Sequence, residues 1–190
     1  EIEKEGLSRR QKVAIEDAKT ALELSLIAPL EEATSVTFRH LAMLAQTKSR
    51  DEDVWASLGI QGTVPQTMRD RLQRMRTWVQ SRHFPDELRI TLLEEPRLEV
   101  ISQLDDDNIA ILPHLIASLR TCEWDAASIQ STISSTAKGI ETSPRHAYRA
   151  LYLCIMGVER GPRLPSILAE IDQTSIVNLL SECLEAKQES

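Results

Sequence analysis

Apolar residues recur along most of this chain at steps of three and four, the spacing that gives an α-helix one dry side. Over residues 65–82, Met68, Leu72, Met75 and Val79 describe a single stripe with arginines on its flanks. The same rhythm predicts a helix over 8–28, through Val13, Ala14, Ala18, Ala21 and Leu22. Another spans 36–48, where Phe38, Leu41, Ala42, Leu44 and Ala45 form the apolar side. A short helix capped by Asp51 or Asp53 runs past Trp55 to Leu58 and stops at Gly59. Residues 83–93 read as a turn followed by irregular chain. Pro96 disfavours helix at Glu95, which marks 94–96 as the boundary between two helical halves, 1–95 and 96–190.

The second half opens with a short helix near 97–104. Asp106 or Asp107 then caps a helix to about residue 121, with Pro113 as a kink or as its true first turn. Asp125 caps a helix closed by Gly139; a short helix follows Pro165, and a last one runs over 174–186 behind Asp172. The best-punctuated element is 144–156. Ser143 is a good N-cap, Pro144 sits where its missing N–H costs nothing, and Gly157 can take the left-handed closing conformation. No alternating strand pattern of useful length, internal repeat or low-complexity tract occurs. The fold class is all-α.

Composition agrees: few aromatics, few glycines and many Leu, Ala, Glu and Arg favour helices. The formal net charge of −7 argues against a globally basic nucleic-acid binder. It leaves room for a local basic site, because charges act over a Debye length of roughly 10 Å at 0.1 M salt. Positive charge is in fact clustered. Arg69, Arg71, Arg74, Arg76, Arg82 and Arg89 fall within 69–89, and Lys138, Arg145, Arg149, Arg160 and Arg163 within 138–163. Cys122, Cys154 and Cys183 have neither disulfide nor zinc spacing; Cys154 and Cys183 sit among apolar neighbours as small core residues. A reducing cytoplasm is the expected compartment. No apolar run reaches the ~20 residues of a membrane span. The chain lacks an initiator Met and is read as a piece of a larger protein.

Candidate chemistry centres on 144–163. Arginines at the helix start and in the loop after its end suit phosphates, and Tyr148 and Tyr152, one turn apart, offer rings to unpaired bases. Gly161-Pro162 predicts a turn that presents Arg160 and Arg163 from a stiff backbone. An ordinary surface helix, wet on its cationic side and with Tyr148, Leu151, Tyr152 and Ile155 in the core, explains the same spacing. The arginines of 69–76 suit a nucleic-acid backbone, although a solvated face with i,i+4 partners is the more frequent explanation of such spacing. Asp105-Asp106-Asp107 lacks the pattern of a calcium loop and fits a helix N-terminus. His40, His83, His114 and His146 have no metal-ligand spacing, and no nucleophile, phosphate-loop or dinucleotide signature occurs. Trp55, Trp78 and Trp124 read as core.

The run Tyr148-Arg149-Ala150-Leu151-Tyr152-Leu153, then Met156-Gly157, then Arg160-Gly161-Pro162-Arg163, resembles the C-terminal region of class I lysyl-tRNA synthetases, the archaeal and spirochaete type related to glutamyl-tRNA synthetase. Upstream, 35–42 (Ser-Val-Thr-Phe-Arg-His-Leu-Ala) is similar to the family's helix after its catalytic core, and 84–92 to its hinge before the anticodon-binding bundle. Pro165 stands where the family often has Gly, and Ile171-Asp172 where it tends to have Leu-Gly.

The resemblance implies two packed helical subdomains of the α-helix-cage type. Residues 1–95 would link to an absent catalytic domain and 96–190 would form the anticodon-binding bundle. It further implies binding of the lysine tRNA anticodon stem-loop by a monomer, with no catalytic residue, no metal and no cofactor in this piece. ATP and Mg would belong to the absent catalytic domain of a lysine-tRNA ligase; DNA and membrane are not expected partners. The expected tRNA-binding residues are Arg145, Arg149, Tyr152, Arg160 and Arg163, with Arg69, Arg74 and Arg76 on the stem backbone. The alternative is a helical protein-interaction module whose basic patch docks an acidic partner.

Overall fold

Side-chain caps start five of the helices that the sequence pattern marks out. The computed structural model describes residues 36–189 together with Val13, Ile15 and Glu16. Those three are helical; the rest of the helix predicted over 8–28 lies outside the described residues. The chain divides into units Glu1–Ser35 and Val36–Ser190, and the second is described here.

Among the described residues there are nine α-helices and no strand. They are α1 (Phe38–Thr47), α2 (Asp51–Ser57), α3 (Gln66–Val79), α4 (Leu98–Ile101), α5 (Asp106–Leu119), α6 (Ala126–Gly139), α7 (Pro144–Met156), α8 (Leu164–Leu168) and α9 (Gln173–Gln188). The all-α class therefore holds. Thr37 caps α1 by accepting the His40 N–H at 3.3 Å. Asp125 accepts the Ala127 and Ser128 N–H groups of α6 at 2.8 and 3.0 Å. Hydrogen bonds from the Ser128 side chain and backbone hold the Asp125 carboxyl below the usual carboxylate range.

Two apolar clusters organise the unit. α1, α2 and α3 close around Leu41, Leu44, Val54, Trp55 and the predicted stripe Met68, Leu72, Met75, Val79, with Phe84 completing it. α4 to α9 enclose a larger cluster through Ile111, Leu115, Ile133, Leu151, Ile167 and Leu180. Polar ties cross between them. Gln46 of α1 donates to the Leu88 carbonyl at 3.2 Å and accepts the Ile90 N–H at 2.9 Å. Lys48 reaches the Glu170 carbonyl at 2.6 Å and its carboxylate at 3.3 Å, and Ser57 Oγ donates to the same carboxylate at 2.7 Å.

Four local expectations change. Neither Asp51 nor Asp53 caps α2; both lie inside its first turn, and Arg50 at the cap position makes no side-chain capping bond. Asp105, not Asp106 or Asp107, caps α5, in a reciprocal capping box with Asn108. Pro113 neither starts nor ends α5; it is exposed inside it, and buried Leu112, Leu115, Ile116 and Leu119 carry the helix past the missing N–H. Phe38, expected on the apolar side of α1, is 54 % exposed: Leu41, Ala42 and Leu44 are the buried residues of α1, and Phe38 meets α3 only at its edge, against Trp78.

Candidate nucleic-acid interface

α7 is held at both ends. Ser143 Oγ accepts the Arg145 N–H at 3.3 Å, and Gly157, at φ 70°, returns its N–H to the Leu153 carbonyl at 3.0 Å. The Leu93 N–H donates to the Ile155 carbonyl at 2.8 Å, so chain from the other side of the boundary completes the helix end. Ala147, Ala150, Leu151, Leu153, Cys154 and Ile155 are buried. What α7 turns outward is Arg145, Tyr148, Arg149 and Tyr152, the residues singled out by the sequence.

These side chains do different things. Arg149 is committed within the protein: Nη1 donates to Asp105 Oδ2 at 3.0 Å and to Asn108 Oδ1 at 2.6 Å, and Nη2 to Glu159 Oε1 at 2.8 Å. It ties the α5 cap to the loop behind α7. His146 stands 3.9 Å from Asp105 and 3.7 Å from Asp107 on the same flank. Tyr152 is committed too. Its hydroxyl donates to the Pro162 carbonyl at 2.5 Å and lies 3.2 Å from the Gly161 carbonyl, and a methyl at Gly161 would come 3.2 Å from its ring. Gly161-Pro162 forms no hydrogen-bonded turn; this ring and hydroxyl stiffen the loop instead.

Arg163 leaves that loop to donate to Gln130 of α6. Burial pushes the Tyr148 phenol up, against the opposing pull of the nearby Arg163 guanidinium. Burial likewise raises Tyr152, opposed by the hydrogen bond from the Leu164 backbone. The side chains of Arg145, one turn before Tyr148, and of Arg160 are exposed and have no hydrogen-bond or ion-pair partner among the described residues.

The α3 arginines divide in the same way. Arg76 donates to Asp51 at 2.9 Å and to the Ala45 and Lys48 carbonyls at 3.3 and 3.0 Å, which locks α3 to the end of α1. Arg69 folds back on Gln66 and the Val64 carbonyl. Arg74 is exposed, with no partner among the described residues. Cys154 and Cys183 are buried neighbours, and hydrogen bonding with Cys183 together with burial raises the Cys154 thiol. Among the described residues no group of His, Cys, Asp or Glu could hold a metal ion, and no helix is long and apolar enough to cross a membrane.

The structure adds a cleft of about 740 Å³ that the sequence does not announce. Phe38, Arg39 and His40 of α1 line one side of it; Trp124, Pro162 and Arg163 line another. Trp124 is fixed by its indole N–H, which donates to the Ile171 carbonyl at 2.7 Å. The cleft thus opens beside the basic loop, bordered by residues 124 positions apart in the chain, a separation no local pattern encodes.

With this geometry in place, the relatives are informative. A lysine-tRNA ligase from Thermoplasma volcanium is 30% identical over 152 residues, covering 78% of this chain. Those from Methanopyrus kandleri and Thermococcus kodakarensis are 28% and 27% identical over 177 and 183 residues, covering 85% and 87%. The chain is akin to part of an aminoacyl-tRNA synthetase. It spans about a third of the length of these curated relatives, the matched share being 29% to 33% of each. No protein-family model matches it.

Proposed function

We propose that this chain binds the anticodon stem-loop of lysine tRNA as the non-catalytic part of a lysine-tRNA ligase. The observation that carries the reading is the set of unpaired arginines around α7, on a chain akin to such ligases. Arg145 and Arg160 have no carboxylate partner among the described residues, and Arg163 is bonded only to a neutral amide. An acidic protein that leaves guanidinium groups uncompensated at one place has the electrostatics of a local polyanion site. The loop bearing two of them is held by Tyr152, so their positions cost little entropy on binding.

The roles follow the geometry. Arg145, Arg160 and Arg163 contact phosphates or base edges, and Arg74 contacts the stem backbone. Arg149, Tyr152, Arg69 and Arg76 hold the surface in shape. Chemistry belongs to another part of the ligase, where ATP and Mg would act.

Titration of the chain with lysine tRNA and with an anticodon-substituted lysine tRNA tests this. The unsubstituted tRNA binds more tightly, and Arg163→Ala weakens it while leaving the melting temperature within a degree or so, as expected for an exposed residue. Equal affinity for both RNAs overturns the anticodon reading. Binding to neither RNA, with capture of an acidic polypeptide instead, would support a protein-docking module.

A further inference from the structure

Phe38 is anomalous for an aromatic residue. It is 54 % exposed at the lip of the cleft, yet its ring is held: Trp78 lies 5.0 Å away centroid to centroid at 56°, and Trp78 packs edge-on against Phe84 at 4.6 Å. A ring supported from behind and open in front is a stacking platform rather than a stray apolar group. The cleft floor beside it is apolar, with Met43, Ile90, Trp124 and Ile167 among its lining.

The charges around the cleft are unequal in their freedom. Of its two acids, Glu170 is held by Lys48 and Ser57, and Asp125 is occupied in capping α6. Of its two arginines, Arg39 is exposed without a partner among the described residues, and Arg163 meets only Gln130. Asp125 keeps its charge, bonded only to neutral N–H groups, so the rim sets two guanidinium groups without acidic partners against one such carboxylate and is net positive. An apolar floor, an open aromatic face and two rim guanidinium groups match an unpaired nucleotide, whose base has a π-face and whose flanking phosphates are anionic. The cleft volume lies in the ordinary range for such ligand sites.

We infer that the cleft holds one splayed nucleotide of single-stranded RNA. Its base stacks on Phe38 over the apolar floor, and its flanking phosphates face Arg39 and Arg163. This rests on the anticodon reading and extends it, since it moves a base contact away from the tyrosines of α7 to a residue of α1.

The experiment measures binding of the full chain to a fluorescein-labelled lysine tRNA anticodon stem-loop and to the blunt duplex of the same stem. Phe38→Leu keeps apolar bulk but removes the ring, and should weaken stem-loop binding roughly tenfold while leaving duplex binding unchanged. Phe38→Trp should retain the affinity. Arg39→Gln, on an exposed side chain, should leave the fold intact and reduce the salt slope for the stem-loop by roughly one.

If the parent chain binds stem-loop and duplex equally, the anticodon reading itself fails and the inference with it. If the parent prefers the stem-loop but Phe38→Leu binds as the parent does, only the cleft inference is overturned. Equal loss in Phe38→Leu and Phe38→Trp also overturns it, as does an unchanged salt slope in Arg39→Gln.

Discussion

Arg149 shows how far a residue's role depends on its partners. In sequence it sits between Arg145 and Arg160 as one more cation of a basic stretch. In the fold its guanidinium satisfies Asn108, the one fully buried polar side chain among the described residues, and joins Asp105 to Glu159. Truncation removes these charge-assisted bonds, hands Asp105 and Glu159 to solvent and leaves the buried Asn108 Oδ1 with only the longer 3.3 Å bond from the Asp105 N–H. Arg149→Ala should therefore destabilise the chain by about 1–2 kcal/mol, a fall of roughly 2–8 °C in a thermal melt. Arg149→Lys should recover only part of this, because an ammonium cannot fork across three groups. Arg163→Ala should lack such an effect, so the two variants together separate the shaping arginine from the binding one. The distinction is invisible in the sequence: Arg149 meets acceptors 10, 41 and 44 residues away.

At the scale of the element, α7 was legible almost to the residue. Its start at Pro144, its Ser143 cap and its Gly157 close are local backbone chemistry, and the structure reproduces all three. The same holds for the buried stripe of α3 and the Asp125 cap of α6. The tyrosines were less legible, because helical spacing places a side chain on a face without saying what covers it. Both phenols of the chain lie on α7 and both are raised by burial, so an absorbance titration reads this helix alone. The neutral phenol is the form the fold prefers. That stabilisation is complete below the ordinary tyrosine value of 10.0 and is lost as pH rises through the folded-state values. Tyrosinate should accordingly appear later in the native chain than in the chain unfolded by guanidinium. Coincident titrations would mean that neither ring is as covered as the structure shows.

For the whole molecule, charge and architecture pull in different directions. A net charge of −7 repels a polyanion at long range, whereas the free arginines attract it at contact. Binding should therefore be modest at low salt and weaken further as salt screens the contact charges. With up to about five phosphates neutralised, by Arg39, Arg74, Arg145, Arg160 and Arg163, log K should fall against log salt with a slope of roughly −4. A slope near zero would remove phosphate contact from the account. A slope about twice as steep would require cations beyond these five.

Among the described residues the sequence by itself determined the helices, the caps of α6, α7 and α9 and most of the residues that face inward, because hydrogen bonding within a turn and the 3.6-residue period are local properties of the chain. The tertiary structure alone decided which arginines remain free, what stiffens the Gly161-Pro162 loop and where the cleft opens. Those depend on how the two apolar clusters are tied together, through bonds such as Lys48 to Glu170 across 122 residues. A side chain's availability is set by what the rest of the fold has already asked of it, and Arg149, Tyr152 and Phe38 each show that in a different way.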